Sequence, residues 1–256
     1  MTFSTPPPPV PHTDLSFPTP STLLITLNRP AALNAIPSPQ HVALAALYEW
    51  YDNEPSLRCA ILTGTGRAFC AGADLREWDE ANNSGATPGE EKKRIEMPVA
   101  GFGGLSNRAG KKPVIAAVNG LCLGGGMEMV VNCDLVVASK TAKFGLPEVK
   151  RGVVALAGAL PRVARVVGRM RGGEMVLLGR MYTAEQMERW GIVNWIVDEG
   201  DVVKEAIKVA EEITNNSPDA VIVSREGLRL GWEMGPERAT EIVIKGLYGR
   251  IDKGEN

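Results

Sequence analysis

Apolar positions along this chain keep two rhythms that hand over to each other. "STLLITLNRP" is a short apolar run closed by Asn28, Arg29 and Pro30, the pattern of a strand entering a turn. "PQHVALAALYEWYDNE" then spaces Val42, Leu44, Ala45, Leu47 and Tyr48 at near-helical intervals, starting after Ser38 and Pro39. "LRCAILTGTG" predicts a second strand and a glycine turn, and "RAFCAGADLREWDEA" turns tightly at Gly72 before becoming helix-like. "PVIAAVNG" is a continuous apolar run of buried-strand type, "GGGMEMVVNC" a buried helix and "DLVVAS" a further strand. "AKFGLPEVKRG" reads as turn-rich, and "LAGALPRVARVVGRMRGGEMVLLG" carries one or two helices. The stretch from "NNSGATPGEEKK" to "NRAGKK" is polar and broken by Gly and Pro, which predicts a mobile excursion near the site. From "TAEQMERW" onward the pattern is mostly amphipathic helix, with caps expected at Thr183, Asp201 and Ser217.

Strand, glycine turn and helix recur at least three times, so the fold class expected is α/β, with repeated β-β-α units followed by a helical C-terminal region. The chain divides into a proline-rich extended N-terminal arm over 1–20, a core over 21–196 and the helical region over 197–256.

Composition narrows the function. With 28 basic and 30 acidic residues in 256, the chain lacks the basic excess that phosphate neutralisation requires, so no nucleic-acid partner is expected. Cys59, Cys70, Cys122 and Cys133 sit singly in or beside apolar runs and read as reduced core residues. His12 and His41 lie in no motif, which leaves a histidine triad or a metal site with almost nothing to build on. Apolar runs fall short of the roughly 20 residues that cross a bilayer, and no targeting signal is visible. A soluble, cytoplasmic protein without membrane association is therefore expected.

The candidate chemistry centres on "VNGLCLGGGMEMVVNC". Gly124, Gly125 and Gly126 between an apolar run and a helix let backbone N–H groups approach a ligand closely. That arrangement suits a phosphate, or the oxyanion of an enolate or tetrahedral intermediate, or simply tight helix–strand packing. Neither G-x-G-x-x-G nor G-K-[ST] occurs here, which counts against both nucleotide readings. "AFCAGADL" supplies a second small-residue turn at Ala71, Gly72 and Ala73, and two turns can supply two N–H donors. Glu128 sits on the otherwise apolar "MEMVV", either paired with an Arg or turned into a cavity for acid–base work. Glu148, at a Pro turn, would by itself be an ordinary loop acid.

"NRPAALNAI", "GTGRAFCAGADLREW", "KKPVIAAVNGLCLGGGMEMVVNCDLVVAS", "AKFGLPEVKRGV" and "YTAEQMERWGIVNWIVDEGDV", in that order and spacing, resemble the enoyl-CoA hydratase/isomerase (crotonase) superfamily from about Ser21 to near the C-terminus. The resemblance implies a ClpP/crotonase-like superhelix of β-β-α turns and a C-terminal helical region that builds homotrimers, commonly paired into hexamers. It implies a CoA thioester as substrate, and no cofactor apart from the coenzyme A that the substrate carries. By position, the N–H groups of Ala73 and Gly125 match an oxyanion hole, and Glu128 and Glu148 match the two catalytic carboxylates of hydratases. Ala35, Ala71, Asp74 and Leu75 match the CoA path, with Gly72, Leu121 and Gly124 as further substrate-contacting positions; no position matches a metal ligand.

Two acids favour hydration or dehydration, because family isomerases usually need only the carboxylate at the position of Glu148. An isomerase and a non-catalytic CoA-binding scaffold are the alternatives. One departure touches the acyl group: where hydratases commonly carry a G-x-x-P-x-x-G-G-T-x-R-like run, this chain reads "GVVALAGALPRV", with Ala155 for Pro and Gly158-Ala159 for the paired glycines. A short-chain crotonyl preference does not follow. Relatives often act in mitochondria or peroxisomes, so these compartments stand beside the cytoplasm.

Overall fold

A computed structural model of the chain describes residues 3–74, Glu77 and 98–252. Its strands are β1 (Thr13–Thr19), β2 (Thr22–Leu27), β3 (Cys59–Gly64), β4 (Ala68–Cys70), β5 (Val114–Val118), β6 (Leu121–Leu123), β7 (Leu135–Ser139), β8 (Lys143–Gly145), β9 (Tyr182–Thr183) and β10 (Trp195–Val197). They form a six-stranded sheet in the order β1-β2-β3-β5-β7-β10 and a four-stranded sheet in the order β4-β6-β8-β9. Successive strands therefore alternate between sheets: β3 then β4, β5 then β6, β7 then β8. Each pair is one turn of the spiral, and parallel pairing of the like members stacks the turns. The fold class expected from the resemblance is the one observed.

Strands β3, β5 and β7 are buried on both faces, which is why they read as unbroken apolar runs. Ala60, Leu62, Val114, Ala116, Val118, Val136 and Ala138 face the main core. Their alternates Cys59, Ile61, Ile115, Ala117 and Val137 face a second cluster completed by Val202, Ala206, Val209 and Ala210. Those four lie on helix α5 (Val202–Thr214) at helical spacing, one apolar stripe laid on the sheet. On the core side, helix α1 (Ser38–Asn53) buries His41, Leu44, Leu47, Tyr48 and Tyr51 and leaves Val42 about half exposed.

The remaining α-helices among the described residues are α2 (Gly125–Val130), α3 (Ala159–Leu178), α4 (Ala184–Arg189), α6 (Pro218–Glu233), α7 (Pro236–Val243) and α8 (Gly249–Asp252). Thr183 caps α4 in a reciprocal capping box with Gln186, and the Ser217 side chain accepts from the Ala220 N–H at the start of α6. Asp201 does not cap: its backbone is already helical because a short 3-10 turn runs directly into α5. Among the described residues no helix is long and apolar enough to cross a membrane.

Three expectations change. Thr13–Thr19, assigned to the arm, is a sheet strand, antiparallel to β2. The turn-rich "AKFGLPEVKRG" contains β8, whose three residues are too few to show a period. The expected mobile excursion lies partly outside the described residues, but its end is built into the core, with Phe102, Leu105 and Ser106 buried.

The N-terminal segment is stapled rather than loose. Phe3 packs on Phe17 and Trp50, the Trp50 Nε1–H donates to the Thr5 carbonyl, and the N–H and hydroxyl of Ser4 donate to the Glu54 carboxylate. Burial opposes ionisation of Glu54, but donation from Ser4 and Ser56 outweighs it and holds the carboxyl down to about 2. A depressed carboxyl stabilises the fold above its unfolded value and loses that stabilisation as pH falls. E54Q is therefore expected to lose about 1–2 kcal/mol at pH 7, measured by urea unfolding, with the difference from wild type shrinking between roughly pH 5 and pH 2.

Candidate functional site

Strands β4, β6 and β8 are adjacent and parallel, so the chain leaves all three at the same edge of the small sheet. The segments that follow are Ala71–Gly72–Ala73, Gly124–Gly125–Gly126 and Leu146–Pro147–Glu148. Topology thus gathers positions more than seventy residues apart.

The first two bends touch through bare backbone. Gly72 has φ +98, and a Cβ placed on it would stand 3.1 Å from the Gly125 nitrogen and 3.3 Å from the Leu123 oxygen. Only glycine fits. The Gly124 N–H donates to the Gly145 oxygen at 3.0 Å, tying the second bend to β8. Gly125 is the first residue of α2, where no intrahelical carbonyl meets its N–H. Ala73 forms a parallel bridge with Ile36 in which the Ile36 N–H donates to the Gly72 oxygen, a register that turns the Ala73 N–H to the other side. Each of these adjoining bends thus offers an amide to a ligand.

Segment 29–36 is zipped along the first bend. Ala71 N–H donates to the Leu33 oxygen, the Arg29 guanidinium donates to the Ala35 carbonyl and pairs with Asp74 at 2.8 Å, and the Asn34 amide donates to the Thr65 and Ala68 carbonyls. Leu33 and Asn34 both hold positive φ, a strained conformation that these bonds enforce. Arg29, Leu33, Ala35, Ala71, Ala73 and Asp74 line a cavity of about 490 Å³.

Two carboxyl groups adjoin the second bend. Glu128 lies on α2 and is buried; its Oε2 accepts the Ala159 N–H at 3.1 Å, and the Ala157 N–H also donates to it. Burial pushes Glu128 up to about 7 against the pull of those donors, and the neighbouring Glu148 charge adds to the rise. Arg162 does not pair with it: that guanidinium is engaged with Asn132, Gly158 and Asn107. Glu148 starts a 3-10 turn after Pro147, and a Cβ on Gly124 would be 3.4 Å from its Oε1. Burial raises its carboxyl as well, and its Oε2 is buried without a hydrogen-bond partner among the described residues. A buried oxygen of this kind, next to the second bend, is where a ligand or water is required.

The sequence-derived positions divide as follows. Ala73, Gly125, Glu128, Glu148, Gly72 and Gly124 meet at one edge of the small sheet, and Ala35, Ala71 and Asp74 line the adjoining cavity. Leu121 does not join them: it opens β6 at the amino end, paired with Ala68 and Lys143, the end away from the bend. Leu75 lies outside the described residues. Arg29 was read only as part of a turn; its pairing with Asp74 spans 45 residues and leaves no local signal. Phe102 was hidden in the excursion, yet its ring lies on Gly125, where a Cβ would come within 2.5 Å of three ring carbons.

Comparison with known proteins identifies the family. Residues 19–249 match the enoyl-CoA hydratase/isomerase family. The chain is 59% identical to the mevalonyl-coenzyme A hydratase SIDH of Beauveria bassiana over 259 residues, covering 100% of this chain and 92% of that protein. It is 49% identical to the mevalonyl-coenzyme A hydratase sidH of Aspergillus fumigatus, covering 94% and 87%. Among solved structures, an enoyl-CoA hydratase subunit from Geobacillus kaustophilus superposes with a TM-score of 0.83 at 32% identity, covering 95% of this chain and 91% of that one. This chain belongs to the enoyl-CoA hydratase/isomerase family.

Because the folded state holds Glu128 protonated into the neutral range, its ionisation costs stability as pH rises from about 4.5 to 7. E128Q removes that cost and keeps an oxygen for the Ala159 N–H. At pH 8 it is expected to be more stable than wild type by about 2 kcal/mol in urea unfolding, with no gain at pH 4; a destabilised variant at pH 8 would contradict the assignment.

Proposed function

We propose that the protein is a hydratase that adds water across the 2,3 double bond of a 2-enoyl-CoA thioester, or runs the reverse dehydration, and that mevalonyl-CoA is its first-choice 3-hydroxyacyl substrate. The observation that carries the reading is the unpartnered Glu148 carboxyl oxygen beside Glu128 and the two adjoining amide-bearing bends. The names of the two relatives at 59% and 49% identity support the acyl group. The departure at Ala155 and Gly158-Ala159 leaves the acyl pocket free of any presumed crotonyl preference.

In this reading the thioester oxygen accepts hydrogen bonds from the Ala73 and Gly125 N–H groups, which draws electrons from Cβ. Glu128 takes a proton from water as the water oxygen bonds to Cβ, and the π electrons move through Cα to the thioester oxygen as an enolate. The enolate then collapses, and Cα takes the proton of Glu148. One proton shared by two acids with raised pKa values suits both directions. The amides supply the larger part of the rate: one oxyanion donor is worth about 3–4 kcal/mol. Arg29 and Asp74 frame the cavity taken by the CoA moiety.

Homotrimers or hexamers belong to the same reading, supported by the exposed apolar side chains of Leu156, Met170 and Leu177. Cytoplasmic action does too.

Mixing the protein with a 2-enoyl-CoA panel is expected to bleach the enoyl thioester absorbance, and 3-hydroxyacyl-CoA, mevalonyl-CoA included, to generate it. E128Q and E148Q should each lower kcat by about 10²–10⁴. Full activity in both variants would refute the acid–base assignment; full activity in E128Q alone would mark an isomerase.

A further inference from the structure

His41 is one of two histidines in the chain, stands in no motif, and is 1% exposed on α1. Its Nδ1 accepts the Gly103 N–H at 2.9 Å. An acceptor Nδ1 places the ring proton on Nε2 and requires a neutral imidazole. Burial provides that, holding the group down to about 4 against the raising effect of Glu77, whose carboxylate accepts the Ser38 N–H at the start of the same helix.

The turn that His41 grips is unusual. Gly101, Gly103 and Gly104 all have positive φ, so between residues 101 and 104 the backbone reverses in a form that only glycine holds without strain. The turn's own bonds leave the Gly103 N–H for His41. Phe102, held inside the turn, meets the His41 ring edge-on, with centroids 4.5 Å apart and planes at 70°. The same Phe102 ring lies against Gly125. From the same turn, the Phe102 N–H donates to Ser106 Oγ at 2.7 Å, and Ser106 Oγ donates to the Ala157 oxygen at 2.6 Å. Ala157 and Ala159 are the residues whose N–H groups hold Glu128. One turn therefore braces both the amide at Gly125 and the loop that aims Glu128.

We infer that His41 is a positioning residue for the reaction: by accepting the Gly103 N–H and backing the Phe102 ring, it fixes the Gly101–Gly104 turn and, through it, the Gly125 amide and Glu128. His41 has no direct role toward substrate in this account. The CoA cavity is lined by residues 29–33, 35, 71, 73 and 74 rather than by the turn, so losing His41 is expected to leave that cavity in place. The inference rests on the hydratase reading above.

H41L, H41N, F102L and H41L/F102L, each confirmed folded by thermal melting, distinguish the possibilities. Asn offers a carbonyl oxygen near the place of Nδ1, whereas Leu offers none. Displacement of reacting groups by about 1 Å costs up to about a hundredfold, so H41L is expected to lose at least about tenfold in kcat with KM for the acyl-CoA little changed. H41N should recover most of that loss, and H41L/F102L should lose less than the product of the two single losses, because both residues act through one turn.

A second readout needs no turnover: acetoacetyl-CoA bound at paired amides shows the near-ultraviolet absorbance of its enolate, and H41L should lower the enolised fraction while H41N restores it. Should H41L keep wild-type kcat and enolate signal, should its effect fall on KM alone, or should its loss multiply fully with that of F102L, the inference is overturned. Should wild type bind acetoacetyl-CoA as enolate yet hydrate nothing, the hydratase reading fails while the His41 claim is still decided by the enolate band.

Discussion

The arrangement depends on one close approach, the backbone of Gly72 lying against the amide of Gly125. A methyl group on Gly72 would stand 3.1 Å from that nitrogen, so the contact exists only because a hydrogen replaces it. Parallel pairing of β4 with β6 sets the approach, and the Gly124 N–H bond to Gly145 extends it to β8. Amides from neighbouring strands are thus pre-aimed by the sheet rather than recruited by a mobile loop, which is the condition under which main-chain dipoles stabilise developing charge at low reorganisation cost.

The carboxyl groups show the opposite economy. Glu128 and Glu148 are both desolvated and both raised, and among the described residues neither forms an ion pair: Arg162 is hydrogen-bonded to Asn132, Gly158 and Asn107, and its charge draws Glu128 down by less than burial raises it. A fold selected for stability alone would place apolar residues or an ion pair there. Retaining two uneasy acids beside two glycine-bearing bends is a stability sacrifice concentrated at one edge of a small sheet, and this concentration marks the site more sharply than the size of any cavity. The larger opening of about 940 Å³ along α1 and α6 has no comparable convergence among the described residues.

Much of this was legible in the chain. Unbroken apolar runs gave β3, β5 and β7 because both faces of those strands are covered, and the glycine run gave the second bend because only an unhindered backbone makes it. Glu128 stood out as a lone acid in an apolar helix. What stayed hidden is long-range or short-lived in sequence: β6 and β8 span three residues each, too few for a period, and the Arg29–Asp74 pair closes over 45 residues. The polar look of the segment before β5 concealed Phe102, whose burial follows from three positive-φ glycines around it rather than from any apolar run. Leu121 stands apart from the bend for a simpler reason: the strand's direction puts it at the amino end of β6.

A crystal structure with a 3-hydroxyacyl-CoA bound tests the central claim most directly. The account predicts the thioester oxygen at about 3 Å from both the Ala73 and Gly125 nitrogens, with the 3-hydroxyl between the Glu128 and Glu148 carboxyl groups. A thioester oxygen that meets only one of those amides, or an acyl chain that turns away from both acids, would contradict it.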